Sequence, residues 1–292
     1  MGAWKPPPKV TDRMERVLST HIICNHRLTT SWLGRVQAAG IPAVEIFCAP
    51  QHLDYRDKSQ IEDLGHWFRD SPLELYSLHA PMYTDKVWGR SGPDTHINIT
   101  HRVKAERMRW VGEIKRTLEI AETIPFRYLI QHLGVSGQEY SDYAVDAAFT
   151  SLEELCVFAR QRGVEILLEN IPNELSTAEH LELFNRTTHM NLNYVFDTGH
   201  AHMGAGIGNE FGIMKRRIRS THVHDNNGTD DEHLLPFSSG TIDWTRTMDL
   251  FRGCPGQFPL VLELHDDPAA QHHLSQAVRA FDRLEALNPT NV

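Results

Sequence analysis

Long apolar runs are missing from this 292-residue chain. None approaches the roughly 20 consecutive residues that a helix needs to cross a bilayer, so no membrane association is expected. Cysteine is scarce as well: Cys24, Cys48, Cys156 and Cys254 form no CxxC pair. That argues against a thiolate zinc site and a disulfide framework, and it suits buried thiols in a reducing cytoplasm. A cationic excess is also lacking. Lysine and arginine number 29 against 38 acidic residues, a formal charge of −9, whereas proteins that track nucleic-acid phosphates carry a basic face. The opening decapeptide, MGAWKPPPKV, has no apolar core of the secretion-signal kind, and residues 1–15 are expected to form a tail. No linker, charge block or low-complexity tract divides the sequence. Residues 1–292 are therefore expected to form one domain, at a length usual for a single α/β barrel.

Histidine, by contrast, is abundant, with 18 residues, which draws attention to metal or proton chemistry. Short β-rich runs alternate with amphipathic stretches along the chain. Eight strands are predicted: THIICN (20–25), AVEIFCA (43–49), LYSLHAP (75–81), RYLIQHLG (127–134), VEILLEN (164–170), NYVFDTGH (193–200), RSTHVHDN (219–226) and LVLELHD (260–266). Between them, Val103, Trp110, Val111, Ile114, Leu118 and Ala121 recur at helical spacing in a segment starting near Thr100. A second helix is predicted over residues 147–160, stopping at Gly163. Strict β/α alternation argues for a parallel sheet, and eight repeats argue for closure into a (β/α)₈ TIM barrel. A doubly wound open sheet would carry a glycine-rich phosphate loop after its first strand, and NHRLTTSW has no glycine.

In a parallel barrel the C-terminal strand ends converge on one mouth, where active sites sit. Polar residues fall at those ends: His79, His132, Glu169, Asp197, His222 and Glu263, with His200 just after the sixth strand and Asp231 and His233 in the loop after the seventh. Two positions earlier stand Ser77, Ile130, Leu167, Val195, Ser220 and Val261. Residues two apart in a strand share a face, so a small or apolar inner layer is expected beneath a polar mouth. Such a cluster without counter-charge is costly, because like charges and desolvation both oppose ionisation. Divalent cations remove the cost, and imidazole with carboxylate favours Zn²⁺, Mn²⁺ or Co²⁺ over Mg²⁺ or Ca²⁺. The longest predicted loop, residues 82–99, offers Trp88 and Arg90 as candidate substrate contacts. His224 shares the inward face with His222 and is expected to be a hydrogen-bonded structural residue, as are His202 and His265. His26 and Arg27 are expected near the mouth but exposed.

From the third strand onward the chain resembles the xylose isomerase-like barrels, the family that includes endonuclease IV and the sugar isomerases and epimerases. The motifs are SLHAPMY (77–83), LIQHLG (129–134), LLENIP (167–172), FDTGHAH (196–202), HVHDNNG (222–228) with DEH (231–233), and LELHD (262–266). The resemblance to endonuclease IV implies three cation sites: His79, His132 and Glu169; Glu169, Asp197, His222 and Glu263; and His200, Asp231 and His233. The resemblance to the ketose 3-epimerases implies one, at Glu169, Asp197, His222 and Glu263, with Glu169 and Glu263 as catalytic acid and base. Glu45, on the second strand, resembles a polar strand residue of the family whose role the sequence does not define. The expected function is a metal-dependent sugar or sugar-phosphate isomerase or epimerase working through an enediolate, with one to three cations per chain and His200 touching substrate oxygen. The alternatives are a zinc phosphodiesterase on abasic DNA and a keto-sugar or inosose-type lyase. Net charge favours the first reading, since the best basic run, Lys215, Arg216, Arg217 and Arg219, precedes the seventh strand and so lies at the far end from the mouth. The expected partner is a small-molecule sugar; nucleic acid is not expected, and homo-oligomerisation is left open.

Overall fold

The computed structural model describes residues 14–87, 90–254, 256–267 and 273–287; the predicted tail lies almost wholly outside them. Eight strands form one parallel sheet: β1 (Arg16–Ser19), β2 (Ala43–Phe47), β3 (Glu74–His79), β4 (Tyr128–His132), β5 (Glu165–Glu169), β6 (Asn193–Asp197), β7 (Ile218–His222) and β8 (Leu260–Leu262). Each strand pairs with its sequence neighbour, and β1 also pairs with β8. The seam between β7 and β8 is joined by the parallel bridge Val223–Leu262 and by the Val223 N–H donating to the Val261 carbonyl at 2.8 Å. The architecture is a nearly closed (β/α)₈ TIM barrel. The helices between the strands are α1 (Thr30–Ala38), α2 (Lys58–Asp70), α3 (Lys104–Glu119), α4 (Asp142–Arg160), α5 (Ala178–Thr188), α6 (Thr198–Met203), α7 (Ile207–Met214) and α8 (Trp244–Arg252), with α9 (His273–Ala286) last. Among the described residues no helix is long and apolar enough to cross a membrane.

Strand interiors are apolar on both faces, as they must be between a filled barrel and a helical coat. Inside, Ile130, Leu167 and Val195 form one packed group, and Val17, Ala43, Tyr76 and Val261 another. Ser77 and Ser220 are also fully buried. The inner layer predicted from residue alternation is therefore present. Two single-residue irregularities interrupt the ladder, at Tyr76 in β3 and at Arg219 in β7. They are tied across the barrel interior: the Tyr76 hydroxyl donates to the Arg219 carbonyl at 2.9 Å.

The first strand differs from its predicted span. It ends at Ser19, and Thr20–Ile23 is a single 3₁₀ turn, with the Ser19 hydroxyl accepting from the His21 N–H. The residues after the turn, His26 and Arg27, are exposed, and Arg27 pairs with Asp57 at 2.8 Å. The helix expected from Thr100 starts later, at Lys104, with Val103 exposed at its N-cap rather than buried on the apolar face. The helix ending before Gly163 starts one turn earlier than predicted, where the Ser141 hydroxyl accepts the Ala144 N–H. Gly163 ends that segment at φ +72°, a backbone region that glycine occupies at no steric cost.

Candidate metal centre

Strands β3 to β8 each deliver a polar side chain to the mouth at or just past their ends. His79, Glu169, Asp197, His222 and Glu263 are buried, His132 is half-buried and His200 is buried on the first turn of α6. That turn begins where the Asp197 carboxylate caps the helix, accepting the His200 N–H at 2.7 Å, so β6 and α6 deliver Asp197 and His200 together. Asp231 and His233 arrive on the β7–α8 loop. Reciprocal bonds of 2.8 Å between Asp225 and Leu234 close this loop into a hairpin-like excursion, and His233 takes a left-handed backbone at φ +48°. The Asp225 carboxylate anchors the excursion, accepting from the backbone of Asn226 and Ile242 and from the Trp244 indole N–H at 2.7 Å.

The nine residues read from the sequence fall into three groups, within each of which the donor atoms lie within 4.8 Å of one another: His79, His132 and Glu169; Glu169, Asp197, His222 and Glu263; and His200, Asp231 and His233 together with His224. Glu169 belongs to two. Its Oε1 faces His222 Nδ1 at 2.9 Å, and its Oε2 faces His132 Nε2 at 3.1 Å and His79 Nε2 at 3.5 Å. His222 Nδ1 also lies 3.3 Å from Glu263 Oε2 and 3.8 Å from Asp197 Oδ2. Several rings spend one nitrogen on the scaffold and aim the other at the cluster. Nδ1 of His79, His200 and His233 meets the carbonyls of Ala80, Asn170 and Glu263. That leaves Nε2 of His200 at 3.2 Å and of His233 at 3.3 Å from the Asp231 carboxylate.

Charge is tightly opposed here. Burial works against the charged form of His200, yet Asp197, Asp231 and Glu169 outweigh it and raise the imidazole to about 10. His233, equally buried, is raised to about 9 by Asp231 and Glu263. His222 is lifted well above its ordinary value by Glu169, Glu263 and Glu45 despite burial. Burial opposes the ionised form of Glu169, but His222 and His132 hold it well below the usual carboxylate range. Glu263 is raised, chiefly by burial, and its Oε1 has no hydrogen-bond partner among the described residues. An orphaned carboxylate oxygen inside a ring of imidazoles and carboxylates fits a cation, and among the described residues no cysteine belongs to the donor groups.

Above the cluster lies a cavity of about 270 Å³, walled by Phe47, Met82, Ile171 and Pro172 and floored by Glu169, Glu263 and the cluster histidines. Asp197 and His222 lie beneath that floor, fully buried. His21 and His265 complete the rim. A larger groove of about 450 Å³ between α4 and α5 holds none of the nine residues. Arg90 is exposed on the β3–α3 loop and is not among the described residues lining the cavity; Trp88 lies outside the described residues. Sequence reasoning missed His21, which the 3₁₀ turn standing in place of the predicted first strand puts at the rim, with Nδ1 2.9 Å from the Leu264 carbonyl. It also left Glu45 undefined. Glu45 is fully buried, with Oε1 3.1 Å from His222 Nε2 and Oε2 accepting the Ser77 hydroxyl at 2.8 Å. His224 is hydrogen-bonded as expected, its Nε2 3.0 Å from Asp197 Oδ2, but it also stacks on His233 with ring centroids 3.9 Å apart. His202 bonds Thr241.

Residues 33–287 match the family model described as xylose isomerase-like TIM barrel. The chain belongs to this family. Its relatives include the uncharacterized protein MJ1311 of Methanocaldococcus jannaschii, 31% identical over 75% of this chain and 73% of that one. Among solved structures, a D-tagatose 3-epimerase-like protein superposes with a TM-score of 0.73 at 24% identity, over 93% of this chain and 96% of its own. The IOLI protein with a binding zinc atom superposes with a TM-score of 0.75 at 18% identity, over 93% and 98%. At those identities the two structures establish a shared fold. The xylose isomerase-like assignment covers all nine clustered residues.

Proposed function

We propose that this xylose isomerase-like barrel is a divalent-metal-dependent isomerase or epimerase of a small sugar. The observation that carries the reading is the four-donor group Glu169, Asp197, His222 and Glu263, set under a small concave cavity into which the two glutamates alone of the four project. The known proteins of like fold are named for sugar epimerisation and for a bound zinc atom, which agrees with it. Zn²⁺, Mn²⁺ or Co²⁺, one to three per chain, would be held by His79, His132, Glu169, Asp197, His200, His222, Asp231, His233 and Glu263. Such a cation supplies Lewis acidity toward a carbonyl and its neighbouring hydroxyl. The chain does the rest. Glu169 and Glu263 take and return the proton α to the carbonyl, His200 Nε2 bonds a substrate oxygen where the cation sits only at the Glu169–Asp197–His222–Glu263 group, and the Phe47, Met82 and Ile171 walls exclude water. No lysine or arginine is among the described residues lining the cavity, which favours an uncharged sugar over a phosphorylated one. We place the enzyme in the reducing cytoplasm, since its four cysteines are free thiols.

One observation favours a second reading. The two oxygens of Glu169 face different donor groups, an arrangement suited to bridging two cations, as in a multi-zinc phosphodiesterase acting on abasic DNA. Metal analysis of protein purified without added metal, followed by parallel assays on a ketose panel and on abasic duplex DNA, separates the two. One exchangeable Mn²⁺ or Co²⁺ with sugar interconversion supports the isomerase. Three equivalents of zinc with strand cleavage and no sugar turnover overturns it. Under the isomerase reading Glu169→Gln and Glu263→Gln each lower kcat by about 10²–10⁴-fold; normal turnover in either variant rejects its acid–base role.

A further inference from the structure

Glu45 sits on β2, far around the barrel from β7, yet its carboxylate reaches His222 inside the barrel. A fully buried carboxylate costs several kcal/mol unless its environment uses it. Here its two oxygens are committed, Oε2 to the Ser77 hydroxyl at 2.8 Å and Oε1 to His222 Nε2 at 3.1 Å. It is not among the residues lining the cavity, so it acts on no substrate directly. His79, His200 and His233 lean on neutral backbone carbonyls, whereas His222 leans on a carboxylate. An ionised carboxylate can only accept, so Nε2 carries a proton toward Glu45; Nδ1 faces Glu169, Asp197 and Glu263, and its proton is the one that a cation in that group would replace, which would make Nδ1 the ligand atom.

We propose that Glu45 is a positioning residue that fixes His222 as its Nε2–H form, presents Nδ1 to the four-donor group, and lends that ring its negative charge, with Ser77 locking the carboxylate in place. The inference rests on the metal reading of that group. A carboxylate behind a ligating imidazole fixes the ring's orientation and strengthens it as a donor, and removing such a partner typically costs about 10–100-fold in metal affinity.

Two variants of the full chain, Glu45→Gln and Ser77→Ala, test it without any assay of turnover. Zinc affinity is measured on metal-stripped protein with a competing chromophoric chelator, and the ring protons are read by long-range ¹H–¹⁵N NMR on the zinc-loaded protein. Glu45→Gln is expected to weaken zinc binding at the His222 group by about 10–100-fold, and Ser77→Ala to weaken it less in the same direction. Zinc-loaded wild type is expected to show His222 protonated at Nε2. If Glu45→Gln does not fold, Ser77→Ala and the NMR assignment decide. Zinc affinities in the variants equal to wild type, or an Nδ1–H form of His222 in the loaded protein, overturn the role of Glu45 whatever the activity. Tight zinc binding with no sugar turnover sinks the isomerase reading and leaves Glu45 standing.

Discussion

His200 and His233 each hold a proton more tightly in the folded protein than in the unfolded chain. Folding lifts them from the ordinary 6.5 to about 10 and about 9, burial opposing and the carboxylates of Asp197, Asp231 and Glu263 prevailing. A group raised by folding contributes stability that is complete below its unfolded value and drains away as pH climbs through its folded value. Metal-free protein should therefore lose thermal stability steadily from about pH 6.5 to pH 10. Cations compete with those same protons, so zinc affinity should rise over the interval and its binding should release protons. Melting curves with chelator and with zinc, collected across this range, check both; parallel pH profiles would refute the competition. The strand-end members of the cluster, His79, His132, Glu169, Asp197, His222 and Glu263, were legible in the sequence because strand ends in a parallel barrel have only one place to go. Glu45 was not, because its partner lies 177 positions away and nothing in AVEIFCA marks which histidine it will meet. His21 was missed for a local reason. THIICN reads as the first strand, but that strand lies just before it, over Arg16–Ser19, and Thr20–Ile23 turns under the Ser19 cap.

Loops carry the part of the site that periodicity cannot reach. The β7–α8 excursion brings Asp231 and His233 back over the barrel, and a buried carboxylate anchors its base. Asp225 accepts three N–H groups, and a Cβ on Gly240 would fall 2.1 Å from its Oδ1. In Asp225→Asn the new amide must point an N–H at one of those donors. The expected loss is about 1.5–3 kcal/mol of stability, the range for a hydrogen bond to a charged group, with cation affinity at the His200–Asp231–His233 group falling before that at Glu169. Denaturant melts together with metal stoichiometry read this out. Uniform weakening of every cation site would show that the anchor is not local. The sequence showed which residues the loop contains, and HVHDNNG with DEH placed them near the mouth. It did not show that a left-handed turn at His233 aims the ring inward, since that backbone is held by tertiary contacts.

At the level of the barrel, eight alternating repeats were enough to read the topology, because parallel strands buried on both faces leave apolar runs that amphipathic helices separate. The two ladder irregularities left no such mark in the sequence. Removing the Tyr76 hydroxyl bond in Tyr76→Phe should cost about 1 kcal/mol, seen as a lower denaturation midpoint with an unchanged slope; an unchanged midpoint would show that water replaces the partner. Tyr76 and Arg219 each stand three positions before a cluster histidine, His79 and His222. Every residue in a strand alternates in direction, so one added residue reverses the side to which all later side chains turn. Shortening either strand by that residue would send its imidazole out among the helices, and the phenol braces the barrel at the two points where that orientation is decided.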